Sequence, residues 1–343
     1  MLEIDGSHGE GGGQLLRTAA ALAALTGTAV RIRAVRAGRG KPGLAAQHLA
    51  ALRAVVQLCR ARAEGLALGS GEVVLEPGTL RGGSFAFDVG TAGSVTLVLQ
   101  ALLPVMIAAR ADIEVRVTGG TDVRAAPPLD YLREVLLPLL ARMGVRAQLA
   151  VARRGYYPRG GGQVEMKVRP AALRSLRLTA PGRLLRVEGC AHVAHLPAQI
   201  AQRMRSAALE RLGPLDVPLR CDSSVLEGER AIGQGGAVAL WAQCEHTVLG
   251  AARVAERGVR AEALGEAAGA ELAADLAAGA TLDVHAADQL PVYLALAGGE
   301  SSFVTRELTS HARTAMWLIE QFLPVRFAVA PCAAGVRVDA APL

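Results

Sequence analysis

The chain has 343 residues, enough for about two domains and a sizeable core. Its 37 basic against 31 acidic side chains give a net charge of +6, an excess that suits a polyanionic partner but is too unclustered to mark a dense nucleic-acid patch. Aromatics make up only 3%, which argues against an RRM-type stacking platform.

The N-terminus, Met-Leu-Glu-Ile-Asp-Gly, has neither a basic nor an apolar leader segment, so no secretory signal is expected. Residues 9–17 then read Gly-Glu-Gly-Gly-Gly-Gln-Leu-Leu-Arg. Glycine lets a backbone approach a bulky anion without steric cost, and a helix starting there aims free N–H groups at the same spot. The familiar phosphate motifs are nevertheless absent. A P-loop needs Gly-Lys-Ser/Thr, whereas the only lysines are Lys41, followed by Pro42, and Lys167. A dinucleotide turn needs a spaced Gly-x-Gly-x-x-Gly. Taken alone, such a glycine run is more often a tight turn than a site.

Apolar periodicity predicts a helix over Gly13 to Gly27 and a partner helix over Pro42 to Cys59, with a strand at Val30 to Val35 between them. The same plan recurs at Gly93 to Ala108 with Pro128 to Met143, beside strand runs at Phe85 to Val89 and Ile113 to Thr118. It recurs again at Asp288 to Ala297 with Ser310 to Phe322, followed by a strand run at Val325 to Ala330. This is a weak threefold repeat of α/β units, each a helix pair against a small sheet. The charge-free stretch Val89 to Ala109 is interrupted by Gly, Ser, Thr, Gln and Pro, so it reads as a buried helix and no membrane contact is expected.

Between the second and third units lies an extra segment, Arg183 to Gly279, with its own alternation. Leu184 to Val193 reads as a strand, Pro197 to Leu212 as a helix and Leu215 to Cys221 as a strand. Ala237 to Ala242 reads as another strand and Ala261 to Ala278 as a helix. An α/β domain inserted at 183–279 into a body made of 1–182 and 280–343 is the simplest reading, with no catalytic contribution expected from the insertion. Five scattered cysteines without a Cys-x-x-Cys pair argue for reduced thiols in a cytoplasmic protein. Cys190, His192 and His195 lack an evident fourth ligand, so no metal is expected there.

The sharpest chemical candidate is His311, in Leu-Thr-Ser-His-Ala-Arg-Thr-Ala-Met-Trp. Thr309 or Ser310 would cap the helix, placing His311 in its first turn, where the dipole disfavours imidazolium and keeps the ring nucleophilic. Such a histidine can form a phosphoramidate; a simple polar residue at a helix start is the blander reading, and the sequence physics alone favours it. His48, flanked by apolar positions, reads as a hydrogen-bonded structural histidine. Arg36, Arg39 and Lys41 share eight residues with three glycines, either a solvated turn or a phosphate clamp. Asp288 and Gln289 open the third unit's first helix, Asp288 as its N-cap. No Gly-x-Ser-x-Gly elbow or His-Glu-x-x-His pair is present.

Taken together, these motifs resemble the RNA 3'-terminal phosphate cyclase family. The resemblance is carried by Asp5 to Arg17, Arg36 to Leu44 (Arg-Ala-Gly-Arg-Gly-Lys-Pro-Gly-Leu), Gln47 to Leu49, Gly90 to Gln100, Gly119 to Asp122 and Ala126 to Pro128. Tyr156 to Gly162, Ala287 to Leu290 and Ile319 to Phe327 complete it, so the motifs run in order through nearly the whole chain. The resemblance implies an α/β (α+β) fold related to the enolpyruvyl transferases, with a smaller inserted domain. It implies ATP and a divalent metal (Mg or Mn) as cofactors and an RNA with a 3'-terminal phosphate as substrate. The implied reaction has three steps: a histidine takes AMP from ATP, AMP passes to the 3'-phosphate, and the 2'-hydroxyl expels AMP to leave a 2',3'-cyclic phosphate.

Carried over by position, the nucleophile falls on His311 and the metal-associated carboxylate on Glu10. Arg17, Arg36, Arg39 and His48 fall near the phosphates or the RNA end. Gln100, Pro128, His285, Ala286, Ala287, Asp288 and Gln289 fall at the nucleotide, with Pro128 and His285 on opposite faces of adenine. His285 stands where a tyrosine is usual, and Ala315 where an asparagine is common. An inactive cyclase-like ribosome-assembly protein is the alternative within the fold; retention of His311 and Glu10 argues against it. An enolpyruvyl transferase would need more lysines, and a non-catalytic RNA-binding module more charge and more aromatic rings.

Overall fold

The computed structural model describes residues 1–343. The first unit comprises β1 (Leu2–Asp5), α1 (Gly13–Thr26), β2 (Val30–Arg33), α2 (Ala46–Cys59), β3 (Arg62–Glu64) and β4 (Val73–Glu76), with sheet order β1-β2-β4-β3. Next come β5 (Gly83–Asp88), α3 (Val95–Ile107), β6 (Ile113–Gly119), and α4 (Leu129–Tyr131) joined by a π turn to α5 (Leu137–Arg142). β7 (Arg146–Gly155) and β8 (Gly162–Arg169) complete that unit's sheet. The segment that follows holds β9 (Leu184–Ala194), α6 (Ala198–Leu212), β10 (Leu219–Leu226), β11 (Ala231–Ile232), β12 (Gly235–Cys244), β13 (Val248–Val254) and α7 (Ala261–Ala278). The last unit has α8 (Val284–Gln289), α9 (Pro291–Leu296), β14 (Ser301–Thr305), α10 (Ser310–Phe322), β15 (Val325–Cys332) and β16 (Gly335–Pro342).

The fold is mixed α/β, built from small sheets that each carry a helix pair. The second sheet runs β11-β7-β8-β6-β5 and the last runs β14-β16-β15. β9, β10, β12 and β13 form a separate sheet, in the order β10-β9-β12-β13, backed by α6 and α7. Two cores result: one of 65 buried residues joins the three helix-pair units, and one of 17 lies between Val187 and Leu272. α1 is the hub of the larger core, because six consecutive residues, Ala19 to Ala24, are all buried. Short side chains on every face let α2, α3 and α10 all pack against it. Packing of α10 on α1 carries His311 to the glycine cluster.

Several elements depart from the sequence reading in informative ways. The strand expected at Leu215 to Cys221 lies at Leu219–Leu226, parallel to β9. Pro218 has no N–H to enter the ladder and offers only its carbonyl, to Val187 N–H at 3.0 Å. The third unit's first helix is two short ones, α8 and α9, with Pro291 opening the second. Asp288 is not its N-cap. That role belongs to Asp283, whose carboxylate accepts from the N–H groups of His285 and Ala286 at 3.0 and 2.9 Å. The stretch Val89 to Ala109 contains a 13-residue helix, α3, and no helix is long and apolar enough to cross a membrane. Cys190 and His192 meet Asp130 with ligand atoms within 4.8 Å. Arg154 already occupies both oxygens of that carboxylate, and His195 turns away to the carbonyl of Ala231.

Candidate active site

The N-termini of α1 and α10 converge. Thr309 caps α10, its hydroxyl accepting from Ala312 N–H at 3.0 Å, and places His311 in the first turn. Gln14 lies in the first turn of α1, 297 positions away in sequence, yet its Oε1 is 2.6 Å from His311 Nδ1. Two positive dipole ends therefore face one spot, which favours an anion there. Glycine makes the approach possible. A Cβ on Gly9, which has φ +59°, would stand 2.2 Å from Thr314 Oγ1, and one on Gly13 would stand 2.0 Å from His48 Nε2.

The protonation pattern of His311 follows from its neighbours. Nδ1 faces the Gln14 amide oxygen at 2.6 Å and Glu10 Oε2 at 2.5 Å. The amide orientation is fixed from behind, because Gln14 Nε2 donates to the Asp288 carbonyl at 3.2 Å. With oxygens on both approaches Nδ1 must carry a proton, so in the neutral ring the lone pair lies on Nε2. The side chain is 44% exposed, so Nε2 is within reach of a bound molecule.

Glu10 is held by Arg39, whose Nη2 donates to Oε1 at 2.6 Å and to the Glu10 carbonyl at 3.1 Å. Its Oε2 is buried and has no aligned hydrogen-bond donor despite the short distance to His311, whose N–H is directed at Gln14. An unpaired carboxylate oxygen beside an amide oxygen fits a hard divalent cation, which prefers oxygen ligands. Glu10 and Gln14 are the residues that could hold one.

A cavity of about 460 Å³ opens beside His311. Of the residues named from the sequence, Arg17, Gln100, Pro128, His285, Asp288, Gln289 and His311 line it. Arg17 is 8% exposed and its guanidinium is lowered to about 10 by burial alone, with no carboxylate offsetting the cost. A buried cation without a counter-ion is a ready partner for a phosphate. Gln100 donates to Gln289 Oε1 at 2.5 Å, and Gln289 donates to the His285 carbonyl at 2.9 Å, so the two amides brace α3 against α8. Asp288 accepts from the Thr309 hydroxyl, and burial raises its pKa.

The remaining predicted positions lie elsewhere. Ala286 and Ala287 are fully buried in the main core and their side chains do not reach the cavity, because α8 turns that face inward beneath Asp283. Arg36 spends its guanidinium on the Gly43 carbonyl in its own loop, at 2.7 Å. His48 is buried behind Gly13, its Nδ1 accepting from Ala45 N–H at 3.3 Å; burial, then Arg17, then Arg36 push its pKa down to about 3. A second concavity of about 560 Å³ lies far off against β5 to β8 and contains no histidine.

Residues 8–329 match the family model for RNA 3'-terminal phosphate cyclase. The chain belongs to the RNA 3'-terminal phosphate cyclase family. It is 56% identical over 343 residues to the RNA 3'-terminal phosphate cyclase of Nitrosospira multiformis, covering 100% of this chain and 97% of the relative. It is 48% identical over 330 residues to that of Hyperthermus butylicus, with 94% and 92% covered. It is 43% identical over 323 residues to that of Archaeoglobus fulgidus, with 94% and 96% covered.

For this cyclase-family chain, the sequence reading passed over several contributors to the cavity, among them three polar ones, Gln14, Arg253 and Glu256. Gln14 stood in the glycine motif without a role. Arg253 and Glu256 come from the segment 183–279, where no contribution was expected, and both line the cavity wall. Behind them Glu271 on α7 pairs with His285 at 3.0 Å and with Arg253 at 2.5 Å. One signal was available: Glu271 falls seven residues after Leu264, on the side of the helix that also carries Ala268 and Leu272, a buried stripe where a carboxylate is out of place.

Proposed function

We propose that the chain converts an RNA 3'-terminal phosphate into a 2',3'-cyclic phosphodiester at the expense of ATP, through a covalent adduct of AMP on His311. The observation that supports this best is the tautomer. Gln14 and Glu10 keep the proton on Nδ1, so Nε2 presents a lone pair at a spot where two helix N-termini and Arg17 favour phosphate. Nε2 attacks the α-phosphorus of ATP; an N–P bond forms and the bond to pyrophosphate breaks. The positive charge developing on His311 is offset by the Glu10 carboxylate, whose Oε2 lies 2.5 Å from Nδ1. An oxygen of the RNA 3'-phosphate then attacks the same phosphorus and the histidine leaves. Finally the 2'-hydroxyl oxygen attacks the RNA phosphorus, its proton passes to solvent, and AMP departs. That last step is intramolecular, with the hydroxyl held at high effective concentration.

A divalent cation, Mg or Mn, held by Glu10 and Gln14 would offset phosphate charge. Pro128 and His285 would flank the base, with Gln100, Asp288 and Gln289 shaping its cavity, and Arg17 and Arg39 would face the phosphates. We divide the chain into a catalytic body, 1–182 and 280–343, and an inserted domain, 183–279. The five unpaired cysteines fit a reducing, cytoplasmic setting.

The test is incubation with α-labelled ATP and metal. An acid-labile, alkali-stable protein–AMP adduct is expected, and it should vanish in His311→Ala together with cyclase activity, a loss on the order of 10⁴-fold or more. No adduct in the native protein, or an adduct that persists in H311A, overturns the mechanism.

A further inference from the structure

His285 is the one imidazole in the cavity wall besides His311, and its surroundings are built rather than incidental. Its Nε2 lies 3.0 Å from Glu271 Oε1, on α7. Glu271 is itself only 14% exposed, and Arg253 Nη1, on β13, reaches its Oε2 at 2.5 Å. Tyr131 meets the His285 ring edge-on, with centroids 6.1 Å apart and planes at 90°. The Tyr131 hydroxyl donates to Asp283 at 2.6 Å, and the same carboxylate accepts from Gly250 N–H on β13 at 2.8 Å. The ring is thus flanked by a carboxylate paired in charge with Arg253 and by an aromatic edge whose hydroxyl is hydrogen-bonded behind it.

We propose that Glu271 is a positioning residue for the nucleotide base: from the inserted segment it orients His285 and sets its charge, so that base binding depends on a contact between the insertion and the body. This rests on the function proposed above, in which the cavity takes a nucleotide. Its own basis is the chain of contacts Arg253–Glu271–His285, of which Arg253 and His285 line the cavity.

The charges around the ring favour the imidazolium. Glu271 faces it from α7, Asp283 and Asp288 from its own helix, and Tyr131 from α4. Arg253, the cation in this group, is engaged by Glu271. The contact with Glu271 raises the His285 pKa, burial opposes it, and the balance remains upward. A cationic ring against a purine face gains cation–π attraction over a neutral one. Because the folded pKa is raised, that gain is present at low pH and is lost as pH rises through it. A tyrosine at this position has no comparable transition near neutrality. The insertion in this way makes a stacking surface whose strength tracks protonation.

The measurement is ATP affinity by titration calorimetry between pH 6 and pH 9, with the concentration of ATP that half-saturates adduct formation read in parallel. Calorimetry needs no chemistry, so failure of the adduct would overturn the mechanism above while leaving this reading testable. Affinity is expected to fall about tenfold across that range. Glu271→Gln should weaken binding by a similar factor at pH 6 and move the transition to lower pH, acting on half-saturation more than on the saturated rate. His285→Tyr should remove the transition, and E271Q added to H285Y should then change affinity less than twofold. An E271Q profile that overlays the native one overturns the proposal. So does an equal effect of E271Q in the native and H285Y backgrounds, which marks a merely structural role. Should E271Q fail to fold, H285Y alone decides, because a native pH transition in that variant excludes His285 as its source.

Discussion

At Asp122–Arg154–Asp130 one guanidinium lies between two carboxylates, with the imidazole of His192 beside them. At Glu10–Arg39–His311 the same three side-chain types meet again. In the first group Arg154 donates to both oxygens of Asp122 at 3.1 and 3.0 Å and to both of Asp130 at 2.7 Å. The carboxylates are 0% and 1% exposed. Burial is the largest influence on the Asp122 carboxyl and pushes it up, but Arg154, His192 and the Thr121 hydroxyl together outweigh it and the net shift is downward. His192 approaches from β9, within 3.7 Å of each carboxylate, so the cluster links the sheet containing β9 to the one containing β7. In the second group Glu10 is 26% exposed, Arg39 40% and His311 44%. One carboxylate oxygen there lacks an aligned donor, and His311 is engaged through Nδ1 alone. Residue type is common to both groups; the difference is space and unsatisfied bonding capacity. Saturated and enclosed, the charges fasten two parts of the fold. Left with vacancies beside glycine, they are available to a ligand.

The largest expected effect exploits that contrast. Arg154→Met leaves Asp122 buried without a guanidinium partner and Asp130 with Arg133 alone, at 2.8 Å, so unfolding in urea should show a loss of about 3–5 kcal/mol. Arg39→Met, at the open cluster, should cost under about 1 kcal/mol. Equal losses in the two variants would mean that burial does not separate these clusters. Next comes Glu10→Gln, which keeps the shape of the side chain and removes its charge. Adenylylation measured across a metal titration should drop about 10²-fold, while thermal unfolding stays near the native value. A variant that loses stability instead of activity would place Glu10 with the structural group.

How much of this was visible in the sequence depends on what a pattern can report. Apolar periodicity says which face of an element is buried, and it located α7 at Ala261–Ala278 and α10 at Ser310–Phe322. It does not say which element lies opposite. The approach of Gln14 and Glu10 to His311 across some 300 positions is settled by packing of α10 on α1; the family resemblance pointed to Glu10 and His311 and gave Gln14 no role. Capping chemistry misled at Asp288 because Asp283, five residues earlier, offers the same carboxylate and is the one that accepts the helix N–H groups. In the segment 183–279, Glu271 was legible only as an anomaly on an apolar stripe. Its partner His285 lies beyond the segment's end, so no local spacing could join them.

A smaller effect is expected where the glycine clearance is filled. The added methyl in Gly13→Ala would stand 2.0 Å from His48 Nε2 and 3.0 Å from Arg17 Nη1. Overpacking of this kind costs about 1–3 kcal/mol. Because Arg17 must shift, the half-saturating ATP concentration in adduct formation should rise several-fold. Native affinity in this variant would show that the clearance serves the fold and not the site.

The smallest effect concerns His48, which sits behind the open cluster yet is enclosed like the buried one. Its pKa is depressed to about 3, first by burial and then by Arg17 and Arg36, so the folded protein keeps it neutral while the unfolded chain binds a proton below its ordinary value near 6.5. Stability from this residue is therefore complete above that pH and is lost as pH falls, amounting to about 1.5 kcal/mol between pH 6.5 and pH 5. Asp275 acts in the opposite sense. Its pKa is raised to about 6, chiefly by burial, so the folded state takes up a proton first and gains stability on acidification. Raw melting curves mix the two, and the decisive quantity is the difference between native protein and His48→Gln across that window. That difference should shrink toward pH 5, since the variant has no imidazole for the unfolded chain to protonate. A difference that stays constant would mean that His48 titrates alike in both states, despite its burial and the two guanidinium groups beside it.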